Sequence, residues 1–442
     1  MTPTIIASIA LLFVLLVIGV PVALSFFLSA MVVAIGSGAS LSLLMSYSYK
    51  NTSSIILLTI PLFIMAGSIM AYGGIGRQII NAASRLVGRI KGGFAVVSII
   101  ACSIFAAISG SAAATLSAIG GIIGPMLKEK KYPRGLVAAM LASAGVIGIL
   151  IPPSGIMILY GWSSSTSVLA CFLAGAIPGI ILAILLSLCT LLMLRNNNDI
   201  ETMTAEEVKA AYKEEKRLRK LNNEHGPFFA LLMPVIILGC IYGGITTTTE
   251  AAAIATAYAI PVGFFIYKKL TYTELKNSFI DAAKATGTIM LLTLTVQMLS
   301  RMFIDVNLPK LILNAFYSVT DNRWGIMLMI NLFMIVLGML MDDTSGCLLA
   351  TPILVPIIKE LGFSPVHFAA ILAVNLGMGN ITPPVAPLLY FSSRIIDAPL
   401  KEMLKPTLIY FLFAWLPTLL LTIFVPGIAT WLPSKPPFSK AA

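Results

Sequence analysis

Apolar runs of about twenty residues recur along the whole chain, separated by short polar or basic connections. They predict membrane helices, since a membrane barrel would show short segments of alternating polarity. Residues 4–20 and 22–37 are apolar segments joined at Gly19-Val20-Pro21, and residues 41–50 form a short interfacial piece. Periodicity alone leaves open whether the first pair is one bent helix or two spans. Residues 55–71 predict a span, followed by an amphipathic stretch over 76–91 with Arg77, Arg85, Arg89 and Lys91. Apolar stretches at 94–127, 134–166 and 168–194 complete the first half. The second half offers spans at 227–242, 250–267 and 286–304, the last preceded by an amphipathic piece at 272–285. Stretches at 324–358, 366–395 and 406–431 follow.

Four of these stretches are interrupted where an ordinary membrane helix would stay apolar. Small and polar residues fill the middle of 94–127, around Ser109-Gly110-Ser111, and of 324–358, around Asp342-Asp343-Thr344-Ser345. The stretches 134–166 and 366–395 are broken at Pro152-Pro153 and Pro383-Pro384. A shift of 231 positions lays Pro125 on Pro356, Lys128-Glu129 on Lys359-Glu360, Gly148 on Gly379, Pro152-Pro153 on Pro383-Pro384, and Ser111 on Asp342. Preserved order and spacing of this kind mark an internal repeat. The division is 1–194 for the first repeat, 195–226 for a cytoplasmic amphipathic connection, and 227–442 for the second repeat.

Basic residues concentrate in the connections, which sets orientation. With 195–226 and 128–134 cytoplasmic, 94–127 enters from the cytoplasm and returns to it, while 324–358 enters and leaves from outside. Limbs of thirteen to seventeen residues need not cross, so both stretches are expected to be re-entrant hairpins and the repeat to be inverted. Inversion resolves the first pair as two spans. The expectation is an all-α polytopic membrane protein with ten spans, two re-entrant hairpins, two broken helices and both termini outside.

Composition agrees with this class. The chain is 58% hydrophobic and 11% charged, with a mean hydropathy of +0.97, against about 25% charged in soluble domains. The net charge of +11 lies between spans and does not point to nucleic acid. Five cysteines stand singly in apolar segments, and His225 and His367 stand alone, so no transition-metal site is expected.

Hydrocarbon offers no partner to a free backbone N–H or C=O, each costing several kcal/mol if left unsatisfied. Unwound backbone at this depth therefore points to a buried or ligand-filled site. Side-chain and carbonyl oxygens suit Na⁺ as coupling ion, and half-helix N-termini attract a carboxylate. Asp342 and Asp343 are ionisable groups at mid-hairpin, where they bind an ion or cap the returning helix. Arg301, with Ser300 and Asp305 beside it, either holds an anionic substrate group, snorkels, or pairs with Asp305. An intramembrane protease built on Ser109 or Ser111 would need a histidine, and His367 falls near the outer end of its helix. No catalytic function and no organic cofactor are expected.

At these motifs, from Gly19-Val20-Pro21 through Ser109-Gly110-Ser111 and Pro152-Pro153 to Gly377-Met378-Gly379-Asn380-Ile381-Thr382-Pro383-Pro384, the chain resembles the large membrane subunit of TRAP transporters, the tripartite ATP-independent periplasmic uptake systems. The resemblance implies an elevator-type secondary transporter of the bacterial inner membrane, coupled to Na⁺. It also implies a small membrane subunit and a periplasmic substrate-binding protein as partners, with lipid around the spans. The small subunit is expected as a separate polypeptide, because the large-subunit pattern starts at once. Carried onto this sequence, the first sodium site takes Ser109, Gly110, Ser111, Gly145, Gly148, Ile151 and Pro153. The second takes Asp342, Thr344, Ser345, Gly377, Gly379 and Thr382, and substrate lies near Ser300, Arg301, Asp305 and Ser345. The substrate would be an organic acid: a sialic acid, a C4-dicarboxylate or a sugar acid. A stand-alone Na⁺/dicarboxylate symporter or an ion antiporter of similar fold is the alternative.

Overall fold

Gly19 adopts φ +86° and Pro21 precedes the next helix, so the chain reverses between α1 (Thr2–Ile18) and α2 (Val22–Ser37). The positive φ at Gly19 is one that L side chains rarely adopt. The two helices lie antiparallel: Ser8 Oγ donates to Ser29 O at 2.8 Å, and Thr4 packs against Gly36. The computed structural model describes residues 2–87, 92–197 and 226–435, and every described element is helical. The end of the amphipathic stretch at 88–91, and most of the charged connection, at 198–225, lie outside the described residues.

The first half continues with α3 (Leu41–Thr52), α4 (Ile55–Tyr72), α5 (Ile75–Val87), α6 (Gly93–Ser109), α7 (Ala112–Glu129), α8 (Arg134–Gly145), α9 (Gly155–Ser164) and α10 (Val168–Leu194). The second half has α11 (Phe228–Tyr242), α12 (Thr248–Ile266), α13 (Tyr272–Asp305), α14 (Leu308–Tyr317), α15 (Arg323–Leu340), α16 (Asp343–Glu360), α17 (Pro365–Gly379), α18 (Pro387–Ile396) and α19 (Leu400–Phe424). Six of these, α4, α10, α12, α13, α15 and α19, are long and apolar enough to cross a membrane. Six shorter apolar helices, α1, α2, α6, α8, α11 and α17, accompany them. On α10 the residues Ile180, Ile184, Leu188 and Leu192 are each more than half exposed. A four-residue apolar stripe facing outward would be a liability in water and is ordinary against lipid.

The helix bounds repeat with the sequence. Moved by 231 positions, α7 (112–129) falls on 343–360, the bounds of α16, and α3 falls on the first twelve residues of α13. One difference departs from the sequence reading. The amphipathic piece 272–285 and the span 286–304 are a single helix of 34 residues, α13. Thr271 starts it with a capping box: Glu274 N donates to Thr271 Oγ1 at 3.2 Å and Thr271 N donates to Glu274 Oε2 at 2.6 Å. No proline interrupts it, and Gly287 is tolerated inside a helix at a cost of about 1 kcal/mol relative to alanine. The matching α3 and α4 are separated at Ser53-Ser54.

Helices α2, α4, α12 and α13 pack on one another to form one part of the molecule. The paired helices α6–α7 and α15–α16 build the other, around α8 and α17. There α7 packs on α18 and α16 on α9, so each hairpin lies against the second segment of the opposite broken helix. All residues from Gly135 to Gly145 and from His367 to Gly379 are buried. The hairpin limbs run 17 or 18 residues, at or one past the upper end of the expected range, because helix continues to Ser109 and Leu340 and restarts within three residues.

Candidate functional site

The first hairpin turns at Gly110, which has φ +60°. A Cβ there would lie 2.5 Å from Pro153 O, so only glycine allows this approach. Gly155 N donates to Gly110 O at 3.1 Å, pinning the tip to the start of α9. Ser111 caps α7, its Oγ accepting from Ala114 N at 3.4 Å, and Ser109 Oγ lies 3.0 Å from Thr115 Oγ1. Beneath the tip α8 ends in a 3₁₀ turn, Val146–Ile149. Helix resumes after Ser154, whose hydroxyl donates to Ile149 O at 2.7 Å. Gly145 and Gly148 leave room for the tip: a Cβ on either would lie 3.2–3.3 Å from backbone atoms of Ser111 or Ala112. The structure thus brings Ser109, Gly110, Ser111, Gly145, Gly148 and Pro153 together. Ile151 turns its side chain toward Gly179 of α10, which leaves only its backbone available here.

The second hairpin turns differently. Met341 is extended, and Asp342 caps α16: Oδ2 accepts from Thr344 N at 3.1 Å and Ser345 N at 3.4 Å, while Oδ1 accepts from Ser345 Oγ. Asp343 Oδ1 accepts from Thr344 N at 3.0 Å. The close approach here is between two glycines, since a Cβ on Gly338 would lie 3.0 Å from Gly379 Cα. Val385 N donates to Met339 O at 3.3 Å, tying the end of α15 to the break after α17. Thr382 donates its hydroxyl to Met378 O at 2.7 Å.

Between the tips lies a cavity of about 300 Å³. Residues of both hairpin turns line it, together with Gly155 and Ile156 at the start of α9 and Pro387 and Leu388 at the start of α18. Four helices therefore begin on one cavity: α7, α9, α16 and α18. Helix N-termini carry unpaired N–H groups and the positive end of the macrodipole. The facing wall is apolar, made by Ile60, Phe63 and Ile64 of α4 and Ile289 of α13. None of the lining residues is Lys, Arg or His, so no imidazole or amine stands beside Ser109 and Ser111 in the cavity. His367 instead places Nε2 2.7 Å from Thr422 O on α19.

Residues 9–428 match the family model described as "Tripartite ATP-independent periplasmic transporter, DctM component". The chain belongs to this family. Among its relatives in the TRAP family is the isethionate TRAP transporter permease protein DctMQ of Oleidesulfovibrio alaskensis, 33% identical over 93% of this chain. The match spans 64% of that longer protein. The C4-dicarboxylate TRAP transporter large permease protein of Pseudomonas aeruginosa is 32% identical, covering 87% of this chain and 88% of that one. The 2,3-diketo-L-gulonate large permease of Escherichia coli is 30% identical, covering 86% and 87%. These relatives are permeases, and the chain is accordingly read as a multi-pass membrane transporter rather than an enzyme. In fold the chain is similar to the YdaH transporter of Alcanivorax borkumensis, with a TM-score of 0.60, 14% identity, and 88% and 90% of the two chains covered. It is also similar to MtrF of Neisseria gonorrhoeae, with a TM-score of 0.55, 12% identity, and 86% and 84% covered.

Several residues assigned from the TRAP resemblance lie elsewhere. Arg301 forms a two-point pair with Asp305, Nε to Oδ2 at 3.1 Å and Nη2 to Oδ1 at 3.0 Å, and stacks over Tyr47. Both side chains are more than 40% exposed, and neither lines the cavity. Ser300 is buried, but it sits three helical turns, about 16 Å, beyond Ile289 at the cavity wall. Gly377 is two residues from Gly379, hence on another face of α17. A Cβ there would lie 2.6 Å from Val146 and 2.8 Å from Trp415. Its role is to let α17 touch the 3₁₀ turn that follows α8, at positions that are themselves 231 apart. Asp343, expected above to bind an ion or cap the returning helix, and Asn380 both line the cavity, and neither belongs to the sets carried over from the resemblance. Asn380 is 2% exposed and its Oδ1 has no partner, although its place in Gly379-Asn380-Ile381-Thr382 was a sufficient signal.

Proposed function

We propose that this chain is the membrane-transport subunit of a Na⁺-coupled uptake system for an organic acid. The observation that carries the reading is the convergence of four helix starts on one cavity between two polar hairpin tips. N-terminal N–H groups of α7 and α9 favour an anion. The hydroxyls of Ser109 and Ser111, the Asp342 carboxylate and the carbonyls of the two breaks form oxygen-only donor sets of the kind a hard cation prefers. Na⁺ at each tip offsets the charge of Asp342 and Asp343 and draws the acid into the same cavity, so ion and substrate enter together. The relatives named for a C4-dicarboxylate, 2,3-diketo-L-gulonate and isethionate have anionic cargo in common.

In this reading the two halves form an inverted repeat of ten spans and two re-entrant hairpins in a bacterial inner membrane. The hairpins and broken helices move as one body against α2, α4, α12 and α13. The apolar wall of Ile60, Phe63, Ile64 and Ile289 supports such sliding, because it offers the tips no hydrogen bonds to break. A small membrane subunit and a periplasmic binding protein complete the system.

Proteoliposomes holding this chain, the small subunit and a substrate-loaded binding protein test it. Uptake is expected with external Na⁺ and to be lost when K⁺ replaces it. Equal uptake in K⁺ removes the coupling ion from the proposal, and uptake by this chain alone favours the stand-alone symporter.

A further inference from the structure

We propose that Trp415 is a positioning residue that makes the two ion sites respond as one, an assignment that rests on the Na⁺-coupled reading above. The two halves of the repeat touch at one point beneath the breaks. Val146, in the 3₁₀ turn after α8, meets Gly377 of α17, where an added Cβ would lie 2.6 Å from Val146 Cγ1. The same point lies 2.8 Å from Trp415 Cη2 and 2.9 Å from Trp415 Cζ3, at the far edge of the indole. Val146 and Trp415 are fully buried. Two residues beyond Val146 stands Gly148, packed on Ser111 of the first tip. Two residues beyond Gly377 stands Gly379, packed on Gly338 of the second hairpin. Tip therefore connects to tip through backbone, glycine and one β-branched valine, whose side chain is stiff. Close-packed interiors transmit displacement, so an ion that orders one tip favours order at the other.

The tryptophan stands outside the repeat. In the first turns of α10 and α19 burial follows the 231 offset: Phe172 and Met403 are both buried, as are Gly179 and Tyr410. Past the π turn Phe411–Trp415 the offset becomes 232, since buried Leu182, Leu186 and Thr190 are matched by Ala414, Thr418 and Thr422. A π turn accommodates one extra residue within a helix, and such turns are frequent at functional sites. At an offset of 232 Trp415 takes the place of Ala183, so the added residue brings a wedge that the first half lacks. Packing alone does not call for an indole here. Trp415 Nε1 is buried without a partner, a penalty that phenylalanine would avoid. What phenylalanine lacks is the reach of Cη2 and Cζ3 to Gly377.

Purified full-length chain in detergent is titrated with NaCl, KCl holding the ionic strength constant, and the rise in thermal midpoint reports Na⁺ binding. Apparent Na⁺ affinity is measured for Ser111→Ala, Asp342→Asn and the two together, each with and without Trp415→Phe. With Trp415 in place, the double variant is expected to be about fivefold less impaired than the product of the single losses. With Trp415→Phe the losses are expected to multiply to within about twofold, while the midpoint in KCl changes little. Val146→Ala withdraws from the same joint on its other side and is expected to give the same result, which serves where Trp415→Phe does not fold. A merely structural Trp415 would instead lower the midpoint and leave the losses coupled, and that outcome overturns the proposal. Losses that multiply even with Trp415 in place, or that stay coupled in the joint variant that folds, overturn it too and leave Na⁺ coupling standing. A midpoint that Na⁺ raises no more than K⁺ overturns the Na⁺ reading and this assignment with it.

Discussion

The two hairpin tips occupy matching places in the chain and solve the same local problem with different chemistry. At the first, a neutral serine caps α7 and a left-handed glycine makes the turn against Pro153. At the second, a carboxylate caps α16, the backbone is extended, and the close approach moves to Gly338 and Gly379. The surroundings differ in the same sense. Asn331 and Asn375 form a buried pair between α15 and α17, with Asn331 Nδ2 donating to Met327 O at 2.7 Å and Asn375 Nδ2 to Ile371 O at 3.1 Å. The matching residues of the first half are Ile100 and Ala144. Capping is common to both tips, so it is what the repeat requires of these positions. Charge belongs to one tip alone, where two carboxylates line a cavity with an apolar facing wall, and that placement points to work beyond capping.

The comparison breaks most visibly at the glycines. Gly110→Ala forces a left-handed conformation costing about 1–2 kcal/mol and drives Cβ into Pro153 O. Gly379→Ala drives Cβ into the backbone of Gly338. Each is expected to lose about 3 kcal/mol or more, read as a lowered thermal midpoint or failed insertion. If Gly379→Ala is stable where Gly110→Ala is not, the second tip can open and the first cannot.

Next in size is the asparagine pair. Asn375→Leu strands Asn331 and should cost about 1–3 kcal/mol in denaturant or thermal unfolding. Installing the first half's residues together, Asn331→Ile with Asn375→Ala, should recover part of that loss. A double variant worse than the sum of the singles would show that the pair does not act as a unit.

Asp342→Asn separates charge from capping, because asparagine is as good a cap. Folding should survive while apparent Na⁺ affinity falls about tenfold, near 1.4 kcal/mol. An unchanged Na⁺ dependence of uptake would reduce Asp342 to a cap. Ser111→Ala is expected to have the smallest effect, about 1 kcal/mol of stability with a Na⁺ affinity a few-fold weaker. Should it exceed Asp342→Asn on Na⁺ affinity, the first tip carries the tighter ion.

Much of this architecture was legible because helix interruptions leave durable marks. Glycine, serine and doubled proline in apolar sequence fixed both turns and both breaks, and Gly19-Val20-Pro21 marked the reversal between α1 and α2. Where no breaker stands, the boundary was misread, as between Ala285 and Thr286 inside α13. Side-chain direction was harder to read. The i, i+4 spacing of Arg301 and Asp305 allowed their pairing but did not say that α13 turns them away from the cavity. Gly377 and Gly379 share one motif, yet the two-residue offset puts them on different faces of α17. Asn331 and Asn375 are 44 positions apart, and only packing makes them one feature.

The unbroken length of α13 has a practical side. Thirty-four residues make a rod of about 51 Å, against about 30 Å of hydrocarbon. Glu274, Lys276, Asp281 and Lys284 mark the end that extends toward the aqueous phase. A spectroscopic label at Lys276 is therefore joined to the cavity-lining Ile289 by continuous helix with no loop between them. A tilt of about 10° in that helix would carry the label roughly 3 Å, enough to follow by paired-spin distance measurement.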